Sequence, residues 1–164
     1  MAETQREPVP RNDAGELDTS LAFLRFARSC VLKKAEGLDE EQLRRVLVDS
    51  GTSILGLVRH LTDGERYWFG YHLAGSDPCS DVDFAMAVPD STSAADVLRD
   101  YRSAIADSDT AILATGDPTG RLANAVDGEL LSLRWVMAHM TGETSRHAGH
   151  ADILREQIDG TTGR

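Results

Sequence analysis

The sequence contains few cysteines, fewer basic than acidic residues and no long apolar run, and each deficit excludes a class of protein. Its two cysteines, Cys30 and Cys79, follow no metal-ligand or redox spacing, which argues against a disulfide framework and favours free thiols in a reducing compartment. The chain carries 17 basic and 27 acidic residues, a net charge of −10. Because nucleic-acid binding depends on Lys and Arg that neutralise phosphates, we expect no nucleic-acid partner.

Membrane segments are also missing from the sequence. No apolar run approaches the roughly 18 residues that a membrane span needs, and the polar N-terminus lacks a signal-peptide core. We therefore expect a cytoplasmic protein without membrane contact. The 164 residues are 41% hydrophobic, enough for one core, which predicts a single domain over 14–160. Residues 1–13, rich in Glu, Arg and Pro, predict a flexible arm.

Helical periodicity predicts four long helices. Apolar residues recur at helical spacing over 17–36, 53–73, 94–115 and 129–158. A short helical turn is predicted over 39–46, and Asp127 is a plausible N-cap of the last helix. The stretch 75–93, with two prolines and little period, predicts a long connection between helices two and three. The pattern indicates an all-α four-helix bundle, a fold that builds metal sites from inward side chains on facing helices.

Ionisable side chains interrupt the apolar stripe of the last helix. Glu143 and His147 are four residues apart, so a helix places them on the same face. A core-facing carboxylate without a partner costs several kcal/mol, and a cation is the natural partner. His60 on the second helix, with glycine one turn away on either side, offers a third donor. Three protein ligands with one open position are typical of catalytic zinc.

The same residues also have ordinary structural interpretations. A lone histidine on an apolar stripe is more often a hydrogen-bonded core residue than a ligand, and Glu143 with His147 also fits a surface ion pair. His139 and His150 extend the stripe by one turn on either side. They either bind the metal directly, hydrogen-bond a ligand, position a water or lie on an exposed helix face. No catalytic residue is assigned, and the spacing alone leaves these alternatives open.

Two further groups are weaker candidates. Arg28 lies on the apolar stripe of the first helix, where its guanidinium either meets a cofactor carboxylate or reaches solvent while its stem packs. Glu65 falls outside the stripe of the second helix and is predicted to face solvent. Three aromatic residues of that helix either wall a substrate pocket or pack in the core: Tyr67, Trp68 and Tyr71.

Two segments resemble the metal motifs of a known superfamily. These are His60-Leu-Thr-Asp-Gly-Glu-Arg-Tyr-Trp and Glu143-Thr-Ser-Arg-His147-Ala-Gly-His150-Ala-Asp. They are similar to the motifs of the DinB/YfiT-like superfamily of metalloenzymes. The chain most resembles its small DinB-like proteins, with kinship to the metal domain of mycothiol-dependent maleylpyruvate isomerase. Many members carry His-x3-His and then Arg-Gly-Gln in the last helix. Here Glu143 takes the first position, as in the isomerase-like variant, and His150 replaces the Gln.

The resemblance implies a divalent-metal enzyme with His60, Glu143 and His147 as ligands. It further implies a thiol-dependent S-transferase or isomerase that joins mycothiol, bacillithiol or a similar small thiol to a small electrophile, and a homodimer. Mixed His and carboxylate ligation suits zinc, with nickel, iron and manganese as alternatives. A hydrolase whose open metal position activates water is a second interpretation. A non-catalytic metal-binding or ligand-binding protein is a third.

Overall fold

The computed structural model describes residues 8–76 and 82–163. Within these ranges the chain forms five α-helices and one π-helix, and no β-strand: α1 (Glu16–Ala35), α2 (Glu40–Arg44), α3 (Ile54–Glu65), the π-helix (Arg66–Leu73), α4 (Ala94–Thr115) and α5 (Leu133–Asp159). The all-α prediction is confirmed, with α2 as a short addition to four long helical rods. Cys79 and most of the predicted N-terminal arm lie outside the described residues.

The four long rods pack mainly as two pairs, α1 against α5 and α3 against α4. Their buried side chains form two apolar clusters. One cluster includes Val31, Leu57, Tyr101 and Leu154. The other includes Leu24, Phe69, Ile112 and Met140. Ionisable residues occupy the positions between the two clusters: Arg28 on α1, Glu65 on α3 and Glu143 on α5. Glu143, a candidate metal ligand, therefore lies midway along the length of the bundle.

Local signals explain where the long helices begin and end. Ser53 caps α3 by accepting a hydrogen bond from the Gly56 N–H, and Ser93 caps α4 in the same way from Asp96. Gly116, with φ 65°, ends α4 in the left-handed conformation that glycine favours. The predicted span 53–73 is helical throughout, but its second half is a π-helix. π-helices are rare and are frequently found at functional sites.

The start of the last helix differs from the sequence-based expectation. Asp127 (φ 47°) and Gly128 (φ 86°) form a tight turn, and Val126 and Glu129 exchange both backbone hydrogen bonds across it. Positive φ at both central residues is the signature of a two-residue hairpin turn, for which Asp-Gly is a preferred sequence. The N-cap prediction for Asp127 is therefore wrong, because this turn uses the dipeptide and α5 begins only after Ser132.

None of the helices in the described part of the chain is long and apolar enough to cross a membrane.

The long connection after the π-helix passes directly over α3. A Cβ atom on Gly56 would lie 2.3 Å from the Met86 carbonyl oxygen, so only glycine permits this approach. On the other side of the connection, Arg59 pairs with Asp83 at 2.9 Å and donates to the Ala87 carbonyl. Residues 82–88, which we term the strap, are thus held against α3.

Gly56→Ala is expected to destabilise the protein by about 1–3 kcal/mol, because the added methyl group must displace the strap backbone. Urea unfolding monitored by circular dichroism measures this change. Gly142→Ala is the matched control, since Gly142 lies inside α5 and a Cβ atom added there would meet nothing within 4 Å. That variant should gain about 0.5–1 kcal/mol from helix propensity. Equal stability of the two variants would contradict the close approach.

Candidate metal centre

Three of the predicted site residues converge between α3 and α5. Donor atoms of His60, Glu143 and His147 all lie within 4.8 Å of one another. The His147 Nε2 is 3.6 Å from Glu143 Oε2, and the rings of His60 and His147 meet edge to face with centroids 4.9 Å apart. Their four-residue spacing places Glu143 and His147 on one face of α5. The packing of α3 against α5 brings His60 to that face.

Hydrogen bonds orient both imidazoles with the same nitrogen towards the cluster. The Nδ1 of His60 lies 2.8 Å from the Phe84 carbonyl oxygen, so it must carry the proton and donate it. This leaves the Nε2 of His60 with a free lone pair. The Nδ1 of His147 lies 3.3 Å from the Nδ1 of His150, while its Nε2 faces Glu143. With the proton on His147 Nδ1, His150 accepts it and the Nε2 of His147 is likewise free.

The protonation state of His147 also suits metal binding. This side chain is 6% exposed, and burial lowers its pKa to about 4, with further contributions from His60, His150 and Arg146. The imidazole is therefore neutral near pH 7, the form that binds a metal. Glu143 is partly exposed and pairs with the guanidinium of Arg146 through Oε1, while Oε2 remains directed at His147.

The donor set fits a divalent metal. Two ligand atoms bound to one tetrahedral ion at 2.0–2.1 Å lie roughly 3.3–3.5 Å apart. The 3.6 Å separation of His147 Nε2 from Glu143 Oε2 already approaches this value, and the other donor atoms lie within 4.8 Å of one another. Two imidazoles and one carboxylate leave a coordination position for a small molecule. The prediction of His60, Glu143 and His147 as ligands stays a proposal.

The cluster opens into an aromatic cleft of about 320 Å³. Its walls are His60, Leu61, Gly64, Tyr67, Trp68, Phe84, His139, Met140 and Glu143. His139 stacks on Trp135 at 5.1 Å and meets the edge of Trp68 at 4.7 Å. Burial and the nearby Arg146 lower the pKa of His139 below its usual value. His139 therefore forms part of the cleft wall, whereas His150 contacts a candidate ligand directly.

Comparison with known protein families matches residues 19–160, most of the chain, to the mycothiol S-transferases. The chain belongs to the mycothiol S-transferase family. This assignment also bears out the resemblance to the DinB/YfiT-like superfamily. No curated protein matches the chain at a significant level. The helical fold is thus that of a mycothiol S-transferase family member.

In this family member Arg28 lies apart from the metal cluster. Its guanidinium is 2% exposed and donates to Glu65 through Nε at 2.7 Å and Nη2 at 2.6 Å, and to Asp109 through Nη1 at 2.7 Å. All three guanidinium nitrogens thus bond to carboxylates of the protein itself. The sequence-based expectations were that the guanidinium meets a cofactor carboxylate or reaches solvent. The observed contacts favour neither and indicate a structural role for Arg28.

The prediction that Glu65 faces solvent is wrong. Its side chain is fully buried, because α3 packs against α1, α2, α4 and α5 rather than against one neighbour. Tyr67 and Trp68 both line the cleft, whereas Tyr71 does not. Phe84 was not predicted from the sequence, although its carbonyl orients His60 and its ring lines the cleft. No side-chain pattern identifies a backbone carbonyl as a hydrogen-bond acceptor. The only related signal in the sequence is the predicted long connection that contains Phe84.

Proposed function

We propose that the protein is a divalent-metal-dependent mycothiol S-transferase that joins the mycothiol sulfur to a small electrophile. The observation that carries the proposal is the convergence of His60, Glu143 and His147 beside an open cleft, which His60 and Glu143 line, in a chain of the mycothiol S-transferase family. Two imidazoles and one carboxylate form the donor set of many catalytic zinc sites with an open position.

The protein's residues have separate tasks in this proposal. His60 and His147 present their Nε2 lone pairs and Glu143 its Oε2, while the Phe84 carbonyl and His150 hold the two imidazoles in place. A bound divalent metal supplies an open position for the thiol sulfur and lowers the pKa of that thiol, so that a thiolate forms near neutral pH. The thiol proton passes to solvent.

The cleft suits a small electrophile with an apolar or planar part. Its volume, about 320 Å³, is at the lower end of the range for small-molecule sites. Aromatic rings of Tyr67, Trp68 and Phe84 form much of its wall, and such rings stack well on planar groups. In the transfer step the sulfur bonds to the electrophilic carbon, and the leaving group departs with the electron pair of the bond that breaks.

A thiol panel tests the proposal with 1-chloro-2,4-dinitrobenzene as electrophile. The sulfur displaces chloride from the ring, so the thioether product and chloride are both measurable. With zinc-loaded protein we expect the rate with mycothiol to exceed the rates with bacillithiol, glutathione and cysteine by at least about tenfold, since the site must recognise more than the thiol group. The only two tryptophans, Trp68 and Trp135, both lie beside His139, so fluorescence quenching reports thiol binding independently.

Chelation of the metal is the control for this assay. A chelator should abolish the mycothiol-dependent rate, and added Zn²⁺ should restore it, because the open metal position holds the sulfur. Equal rates with all thiols, or a rate that survives complete metal removal, would contradict the proposal. Hydrolysis of activated esters without any thiol requirement would instead support the hydrolase interpretation.

A further inference from the structure

Phe84 on the strap has an unusual backbone conformation. Its φ is 54°, in the left-handed region that residues other than glycine rarely occupy. A bulky side chain gains nothing from this conformation, so the surrounding contacts must maintain it. Phe84 lies next to the candidate metal centre, and its carbonyl oxygen accepts the hydrogen bond from His60 Nδ1 at 2.8 Å.

Both backbone polar groups of Phe84 bond to the same helix. Its N–H donates to Asp63 Oδ2 at 3.2 Å, and its C=O accepts from His60. Asp63 and His60 are three residues apart on α3, so they project from neighbouring positions on one helix face. Asp63 is 7% exposed, which makes the loss of its hydrogen bond to Phe84 costly.

We infer that Asp63 is a positioning residue for His60 and acts through the backbone of Phe84. Its carboxylate holds the Phe84 N–H, which fixes the left-handed conformation and aims the Phe84 carbonyl at His60 Nδ1. The carbonyl then keeps the proton on Nδ1 and the free lone pair on Nε2, facing Glu143 and His147. This inference rests on the proposed function, in which the Nε2 lone pair of His60 binds the metal.

The strap has other anchors, so the role of Asp63 is separable from the general attachment of the strap. Arg59 pairs with Asp83 and bonds to the Ala87 carbonyl, and neither contact involves the Phe84 backbone. Removing the Asp63 carboxylate should therefore leave the strap on α3 but free the Phe84 carbonyl to turn away. His60 would lose its acceptor and sample both tautomers.

Three variants test the role of Asp63. Asp63→Ala removes the acceptor, and Asp63→Asn retains an oxygen that accepts the Phe84 N–H. Asp100→Ala is the matched control, because Asp100 lines the same surface cavity as Asp63 but pairs with Arg66 instead of the strap. The first measurement is Zn²⁺ affinity by competition with a chromophoric chelator. The second is the His60 tautomer in the metal-free protein, from the ring ¹⁵N shifts, assigned by comparison with His60→Ala.

We expect Asp63→Ala to weaken Zn²⁺ binding by about tenfold or more, as for other residues that orient a metal ligand. The Nδ1–H signature of His60 should also be lost in this variant. Asp63→Asn and Asp100→Ala should both keep the tautomer and stay within about threefold of the parent affinity. Wild-type tautomer and affinity in Asp63→Ala, or equal losses in all three variants, would overturn the inference.

The two measurements separate this inference from the proposed function. If the parent protein binds no metal, the metal site fails, but the tautomer of His60 in Asp63→Ala still decides the role of Asp63. If the parent protein binds metal but the His60 tautomer is unchanged in Asp63→Ala, the role of Asp63 fails and the metal site stands.

Discussion

His147→Ala is expected to lose bound metal and S-transferase activity together, and His60→Ala should behave in the same way. Each variant leaves two of the three proposed ligands, which is too few for a stable site of this kind. A bound metal stabilises the charge of the transition state by several kcal/mol. About 1.4 kcal/mol of transition-state stabilisation corresponds to a tenfold change in rate. The turnover of mycothiol should therefore fall by about a thousandfold or more. Metal content measured by mass spectrometry, beside the activity assay, checks the result.

His150→Gln is the graded control for these variants. Its amide oxygen still accepts a hydrogen bond, so it should keep His147 oriented and weaken metal binding by no more than about ten- to a hundredfold. Circular dichroism establishes that each variant is folded. If folded His60→Ala and His147→Ala both retained metal at the parent stoichiometry, the assignment of these ligands would be wrong.

The sequence predicted the part of the candidate site that depends on side-chain identity and helical period. Glu143 and His147 share a face because they are four residues apart, and the structure directs Glu143 Oε2 towards His147 Nε2. His60 was predicted from its place on a second stripe together with the superfamily motif. The predicted limits of the first three long helices lie within one residue of the observed ones, helped by strong local signals such as Ser53, Ser93 and Gly116, whereas α5 begins four residues later than predicted.

What the sequence did not predict depends on backbone geometry and on how many neighbours a helix has. The acceptor for His60 is the carbonyl of Phe84, and a carbonyl is common to every residue. Its direction depends on a positive φ that the aromatic side chain gives no reason to expect. Glu65 was placed at the surface because a helix with one apolar stripe normally has one solvent-facing side. Here α3 packs against four other α-helices, so that rule does not apply.

The enclosure of α3 also explains the largest expected effect on stability. Glu65→Ala should lower the free energy of unfolding by about 3–5 kcal/mol, because it leaves the Arg28 charge buried without its main partner. Both oxygens of Glu65 bond to Arg28, and the two side chains are 0% and 2% exposed. For a chain of this size the loss corresponds to a fall in melting temperature of roughly 10 °C. Urea and thermal unfolding of the metal-free protein measure it.

Two comparison variants separate the cost of an unpaired charge from the cost of lost packing. Arg25→Ala removes a largely exposed guanidinium that bonds to Asp109, as Arg28 does, and should change stability by no more than about 1 kcal/mol. The double variant Arg28→Met/Glu65→Leu fills the same space without charge and should be more stable than Glu65→Ala alone. If the double variant were as unstable as Glu65→Ala, the unpaired charge of Arg28 would not be the cause of the lost stability.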